Sequence, residues 1–321
     1  MCAHTGWAAL RVAGPDAVAF LHGQLSSDVN SLRTGEGQYW SYNSPKGRML
    51  ANGALWRSSV GEADAGIVML LAADVAETIR RRLSMFVLRS NVTIDDITGS
   101  RALIGLAGNG SAGAAREAFG IAPTPFFTVT FDAGATAFML PDRRIVIVAP
   151  NADAPVLQAA LARHASTVEA DVWRWFGVAA GVPWISAATS DRFVPQMANW
   201  DVLGGVNFQK GCYPGQEIVA RMQYLGKLKE RLFAFHANAP EAAPATPVYS
   251  AAFGSAQACG SVVNAAPDPA GGLALLVVAQ VAAVDADDLS LGQPGGARLA
   301  RRALPYDVPL AAPRPLRPTI G

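Results

Sequence analysis

Apolar and smaller or polar residues alternate over Trp7–Val12, which predicts a strand, and the pattern changes at Gly14-Pro15 to a helical spacing with Val18, Leu21 and Leu25 on one face. Two more alternating runs, 38–44 and 48–57, flank Ser44-Pro45-Lys46-Gly47, where Pro and Gly stand at the positions a tight reversal favours, so a hairpin is predicted. A strand over Gly66–Leu71 leads to a helix with Asp74 as its expected start, Glu77 three residues later, and Val75, Ile79, Leu83 and Phe86 on the buried face. Arg80, Arg81 and Arg82 on that helix point in different directions and read as a solvated face.

From Ala102 the pattern gives a strand, a helix over about 111–119, short strands at 126–131, 135–140 and 144–149, and a helix through about 153–165. Strands joined by tight turns must pair antiparallel, so the class is α+β and not a doubly wound parallel sheet. Beyond Gly226 helical spacing gives way to short β-rich runs at 230–236, 246–250, 257–264, 273–284 and 297–304, separated by Pro and Gly, which predict a small barrel. A Pro-rich tail, 306–321, is expected to be extended.

Composition narrows this picture. A chain of 321 residues, 51% hydrophobic and 16% charged, is too long for one core and too apolar to be disordered. With 26 Lys+Arg against 25 Asp+Glu there is no overall field to draw nucleic acid or an anionic membrane, and neither is expected as a direct partner. The N-terminus lacks a basic stretch followed by an apolar one, and the longest apolar run, Leu273–Val284, is broken by Gln280 and too short to span a bilayer. Cys2, Cys212 and Cys259 form no Cys-x-x-Cys pair and no disulfide framework, which suits a reducing compartment; a cytoplasmic location is expected.

Gly108-Asn109-Gly110-Ser111-Ala112-Gly113, with Asp132 further on, matches a dinucleotide fingerprint and leaves an NAD-binding enzyme as a weaker alternative, although Pro123 and Pro125 then lead into hairpins and not into a βαβ crossover. His4, His22, His164 and His236 have no zinc-ligand spacing, no nucleophile elbow or phosphate loop is present, and no metal site is expected. A single motif cysteine supplies at most one of the four ligands an iron–sulfur cluster usually takes, so a permanently bound cluster is not expected.

One segment points to chemistry. After Gly204-Gly205 come Lys210-Gly211-Cys212-Tyr213-Pro214-Gly215-Gln216-Glu217, with Pro214 read as the first position of a helix. A thiol at a helix start beside Lys210 has its thiolate favoured, with Glu217 offsetting part of that field. Cys212 is therefore expected to be the most reactive thiol, Cys2 exposed without a fixed cation, and Cys259 slow in a barrel strand.

Lys-Gly-Cys-Tyr-x-Gly-Gln-Glu closely resembles the signature of the YgfZ folate-binding family, relatives of the aminomethyltransferase (T-protein) of the glycine cleavage system. The resemblance extends to Gly14-Pro15-Asp16-Ala17, Phe20-Leu21-His22-Gly23-Gln24-Leu25, Pro45-Lys46-Gly47-Arg48, Ala180-Gly181-Val182-Pro183 and Phe193-Val194-Pro195-Gln196 before Asn199. It implies a ring of two α+β modules over 1–225, one ferredoxin-like over roughly 60–165, and a C-terminal β-barrel over 226–305, around a central folate channel.

The resemblance further implies a tetrahydrofolate-binding accessory factor for assembly or repair of iron–sulfur clusters in client enzymes, including tRNA-modifying ones. By the same resemblance, Cys212 and Lys210 are expected to be the working residues of the motif that also holds Gly211, Tyr213, Gly215, Gln216 and Glu217, and Trp7 and Trp173 look like the two tryptophans that contact the folate. The alternative is a one-carbon, aminomethyl transferase. Against it, Asn52 stands where the T-protein pattern carries a catalytic Asp, and Ala179 where it carries a Glu for the pterin edge.

Overall fold

The computed structural model describes residues 1–3, 5–58, 66–131, 134–224, 226, 228–254 and 257–309. His4, Asp132 and the tail beyond Pro309 lie outside the described residues. The first sheet is built from β1 (Trp7–Ala13), β2 (Gly37–Asn43), β3 (Met49–Arg57), β4 (Ile67–Ala72) and β5 (Thr93–Asp96), ordered β2-β3-β4-β1-β5, with α1 (Ala17–Gln24) and α2 (Ala73–Ser84) against it. The second has β6 (Arg101–Leu106), β7 (Thr128–Thr130), β8 (Thr136–Met139) and β9 (Ile145–Pro150), ordered β6-β9-β8-β7, with α3 (Ser111–Phe119) and α4 (Ala154–Leu161). Within 60–165, elements up to Asp96 thus belong to the first sheet and those from Arg101 to the second.

After α5 (Ala170–Ala179) and α6 (Gln216–Tyr224) comes the nearly closed third sheet: β10 (Glu230–Ala237), β11 (Pro247–Ser250), β12 (Gly260–Pro267), β13 (Leu273–Gln280), β14 (Leu289–Leu291) and β15 (Leu299–Arg302), ordered β14-β11-β12-β13-β10-β15. The predicted run 273–284 is in fact two elements, because β13 stops at Gln280 and Val281–Asp285 turns into a short helix, α7. β14 is too short to leave a pattern. Asp74 sits inside the first turn of α2 and not at its cap, which is Ala72, and α2 ends before Phe86, leaving that ring exposed.

Every pairing between these strands is antiparallel. In the Gly108–Gly113 run, Gly108–Gly110 joins β6 to α3, which opens at Ser111, but no parallel crossover follows, so the NAD alternative lacks the βαβ frame that makes such a loop bind a dinucleotide.

Strand alternation gives each sheet a private core and a share in a common one. In β1, Ala8, Leu10 and Val12 pack toward α1 and α2, whereas Trp7 and Ala9 enter the shared core. In β9, Ile145 and Ile147 serve the second sheet's own core and Val146 and Val148 the shared one; in the barrel, Leu275 and Val277 point inward and Leu276 and Val278 outward to the shared core. Burial on both faces explains why β4, Ile-Val-Met-Leu-Leu-Ala, is a continuous apolar run without the usual alternation.

Between the first sheet and the barrel runs an extended segment whose backbone has no strand partner on either side. Asn52 of β3, fully buried, donates from Nδ2 to Pro183 O at 2.9 Å and accepts from Ile185 N at 2.8 Å. From the barrel, Asn264 of β12 donates to Trp184 O and accepts from Trp184 N, both at 2.9 Å. Further on, Asn199 repeats the device outward, donating to Leu232 O at 2.9 Å and accepting from Leu232 N at 3.4 Å. Truncating either amide strands two backbone groups, each costing about 1–3 kcal/mol when left unpaired. Asn52→Ala and Asn264→Ala should each lower the unfolding free energy by about 2–4 kcal/mol in urea titrations. A loss below about 0.5 kcal/mol, the size of an ordinary surface change, would show that the clamps are dispensable.

Candidate functional site

Two places in the molecule gather the residues marked in the sequence. The first is a cavity of about 420 Å³ where the three sheets meet. Trp7 of β1 and Trp173 of α5 both line it, with ring centroids 5.1 Å apart and nearly perpendicular planes. Trp184, which the sequence left unmarked, stacks on Trp7 at 3.8 Å and 17°, so the wall is made of three indoles. Its signal was its place directly after Ala180-Gly181-Val182-Pro183. Trp173 is close to Gly105, where an added Cβ would lie 2.7 Å from the ring; only the missing side chain lets α5 seat this indole against β6.

Arg144 lies over both rings, 4.8 Å from the Trp173 centroid and 5.4 Å from that of Trp7, and is paired with Asp142 at 2.7 Å. A charged residue in the Pro141–Arg144 turn would be read from sequence as solvated; packing buries it. Asp74 and Arg174 also face the cavity. Ala179, in the position expected to carry a Glu, is exposed and leaves no acceptor there.

The residues present suit a reduced folate. Flat apolar walls match a pterin or aminobenzoyl ring, the volume is within the usual range for small-molecule sites, and the Nε1 atoms of Trp173 and Trp184 are buried without a partner. Buried donors of this kind are costly unless something accepts from them.

The second place is the Lys210–Glu217 segment, and none of its residues lines the indole-walled cavity. Gly215 has φ +76° and Gly47, at the end of the β2–β3 turn, φ +71°. The two turns pack back to back: a Cβ on Gly215 would lie 2.4 Å from Ser44 O and 2.6 Å from Gly47 Cα, and one on Gly47 would lie 2.8 Å from Ile218 Cβ. Both glycines are therefore required twice, by backbone angle and by contact. Pro214 and Gly215 form this turn, and α6 opens only at Gln216, so Pro214 is not the first helical residue and Cys212 stands further from the helix end than the sequence suggested.

Cys212 and Glu217 are exposed, whereas Tyr213 is buried, with its phenol held well above the ordinary value by burial. Lys210 is also buried: its Nζ donates to Leu25 O at 2.6 Å and to His22 O, satisfying carbonyls at the C-terminal end of α1, and lies 5.0 Å from the Tyr213 ring centroid. Asn207 Oδ1 accepts from Gln209 N and Lys210 N, and Gln216 Nε2 donates to Lys210 O, bracing the loop on both sides.

Burial pulls Lys210 down to about 8, opposed by the charges of Asp28 and Cys212, so the lysine remains electrostatically coupled to the thiol while its hydrogen bonds go to α1. Cys2 is buried and bridged to Gly105, contrary to its expected exposure, because the chain ahead of β1 lies against β6. Cys259 is buried as expected, its thiol raised by burial and donating to Val248 O. Among the described residues, no group of three or more His, Cys, Asp or Glu side chains is arranged to hold a metal ion, and no helix is long and apolar enough to cross a membrane.

A lysine whose value falls on folding penalises the protonated native state below pH about 8, and the penalty is relieved as pH rises toward the unfolded value of 10.5. Lys210→Met should cost about 1–3 kcal/mol at pH 7 through the two uncapped carbonyls, and the parent should gain stability relative to the variant between pH 8 and 10. Chemical denaturation of both proteins across that range checks the sign.

No protein-family model matches the chain. A tRNA-modifying protein YgfZ from Yersinia pestis is 33% identical over 235 residues, covering 73% of this chain and 69% of the relative. One of the same description from Escherichia coli O157:H7 is 32% identical over 243 residues, covering 74% and 72%. Among solved structures, the glycine cleavage system aminomethyltransferase T from Bartonella henselae superposes with a TM-score of 0.75 at 16% identity, over 97% of this chain and 87% of the other, so the fold is that of the T-protein. With one residue in three shared over more than two-thirds of such relatives, this chain belongs to the YgfZ family.

Proposed function

We propose that this chain is a tetrahydrofolate-binding accessory factor for the assembly or repair of iron–sulfur clusters in client enzymes, tRNA-modifying enzymes among them, with Cys212 as its working thiol. The observation that carries the reading is the meeting of Trp7 and Trp173, 166 positions apart in the chain, in the wall of one cavity in a fold shared with an aminomethyltransferase. The two indoles and Trp184 would hold the flat ring system, Arg144 stiffens their arrangement, and Trp173 and Trp184 offer unspent N–H donors. Asp74 is a carboxylate on the same wall, with Oδ2 accepting from Ala187 N at 3.0 Å. A reduced folate, when bound, would supply one-carbon chemistry, and the residues named would bind and orient it.

Exposure of Cys212 on a loop braced by Lys210, Asn207 and Gln216 is what a thiol needs to reach a client's cluster, sulfur or iron. Aminomethyl transfer fits less well. Asn52 has its amide committed at both ends to Pro183 and Ile185, and a neutral, engaged amide does not replace an ionised Asp beside a charged amine.

Tetrahydrofolate should quench the tryptophan emission and raise the Tm, and Trp7→Ala and Trp173→Ala should each weaken binding at least tenfold; unchanged affinity in both variants would remove the channel assignment. With an aminomethylated lipoyl carrier and tetrahydrofolate there should be no turnover, and robust turnover would favour the transferase instead. In a strain deleted for this protein, Cys212→Ala should fold yet leave iron–sulfur enzyme activity low under oxidative stress, whereas full complementation would reduce the motif to a structural turn.

A further inference from the structure

Where α2 ends, the chain leaves apolar side chains uncovered. Met85 and Phe86 are 64% and 45% exposed and Leu88 is 86% exposed, whereas Val87 between them packs on the first sheet's private core. Leu88 also has φ +47°, in the left-handed region that a leucine rarely adopts, so the turn accepts backbone strain while presenting this side chain to water. Phe86, Val87, Leu88, Arg89 and Ser90 line an open groove of about 590 Å³. Scattered exposed apolar residues are ordinary, but three within four positions beside a groove form a patch. None of these residues lines the indole-walled cavity or belongs to the Lys210–Glu217 loop.

The rim of the patch is basic. Residues three and four apart are neighbours on a helix, which sets Arg81 and Arg82 beside Met85, and Arg89 follows Leu88 into the groove wall. The acidic groups of this region are engaged: Glu77 by Arg80 and Arg81, Asp95 by Arg11, Asp16 by Asn91 N and Asp96 by Thr98 N. Arg82 and Arg89 have no acidic partner among the described residues, and Arg82 lies 6.0 Å over the Tyr42 ring instead. Two guanidinium groups therefore stand beside the apolar side chains with their charge unmatched.

We infer that this patch is a docking surface for a segment of a partner protein whose apolar side chains are flanked by Asp or Glu. Its apolar groups would enter the groove and cover Met85, Phe86 and Leu88, while its carboxylates would meet the planar forks of Arg82 and Arg89. A second copy of this chain fits less well, since a twofold contact through the patch sets the same unmatched arginines against each other. An anionic bilayer also fits less well. The apolar face of α2 itself, Val75, Ala76, Ile79 and Leu83, is buried, so only the turn after the helix is left to meet a membrane and not a helix lying along it.

Fluorescence anisotropy of a labelled amphipathic peptide, with Leu and Phe on one face and Glu on the other, tests the surface on the full chain. The peptide should bind, a counterpart with Lys in place of Glu should bind about tenfold more weakly, and raising NaCl from about 0.05 to about 0.5 M should weaken the acidic peptide. Arg89→Glu and Leu88→Gly should each lower its affinity about fivefold, while Val156→Ser, at an exposed apolar position on α4, should leave it unchanged. Glycine suits the left-handed turn, so Leu88→Gly should fold with an unchanged or raised Tm, which separates lost docking from lost structure. Absence of binding, equal binding of the two peptides, or an affinity unmoved in both variants overturns the assignment. Sedimentation of the parent as a dimer that Leu88→Gly abolishes would overturn it in favour of a second copy, and co-sedimentation with phosphatidylserine vesicles that Arg89→Glu abolishes would overturn it in favour of a membrane.

Discussion

The buried backbone of Pro183, Trp184 and Ile185 must find hydrogen-bond partners between two sheets whose strands are already paired. Pro183, Trp184 and Ile185 are buried, and an unpaired N–H or C=O there would be costly. Asparagine resolves the conflict, since a primary amide carries the same donor and acceptor as a peptide group. Asn52 reaches in from the first sheet and Asn264 from the barrel, each holding one N–H and one C=O of the segment. Farther along, Asn199 does the same for Leu232, and the Arg231–Asp201 pair, bidentate at 2.8 and 3.1 Å and nearly dry, ties the start of the barrel to the same stretch. The first sheet and the barrel are thereby joined through one length of irregular chain.

This placement determines the cavity. Trp184 lies between its two asparagine clamps and can stack on Trp7 only because its own backbone is held; Trp7 in turn meets Trp173, and Arg144 spans the pair. Asn52 therefore has a definite physical task, holding two backbone groups of the irregular segment to the first sheet.

The motif loop obeys a separate logic. Gly47 and Gly215 let two turns touch at a distance no side chain tolerates, Lys210 closes the end of α1, and the buried Tyr213 anchors the far side of the cysteine. Most of the signature thus builds a rigid pedestal, and the residue left facing solvent between Lys210 and Tyr213 is the Gly211-Cys212 step. The indole-walled cavity and the motif loop lie on different surfaces of the molecule and share no lining residue.

Local order was legible in the sequence wherever short-range physics decides it. Period-two and period-3.6 patterns gave the β2–β3 hairpin, α3 and most barrel strands, and the Lys-Gly-Cys motif marked an exposed cysteine ahead of a helix and the family. What the tertiary structure alone decided was which distant groups meet. It seated Trp184 on Trp7, buried Arg144 beside them, turned Lys210 toward α1, buried Cys2, placed α6 two residues later than Pro214 implied, and set Asn52 on Pro183 and Ile185 and Asn264 on Trp184 between them. The reason is that periodicity and turn chemistry act over a few neighbouring residues, whereas the partner of a buried polar group is chosen by whatever unpaired backbone or charge the packed sheets bring within 3 Å of it.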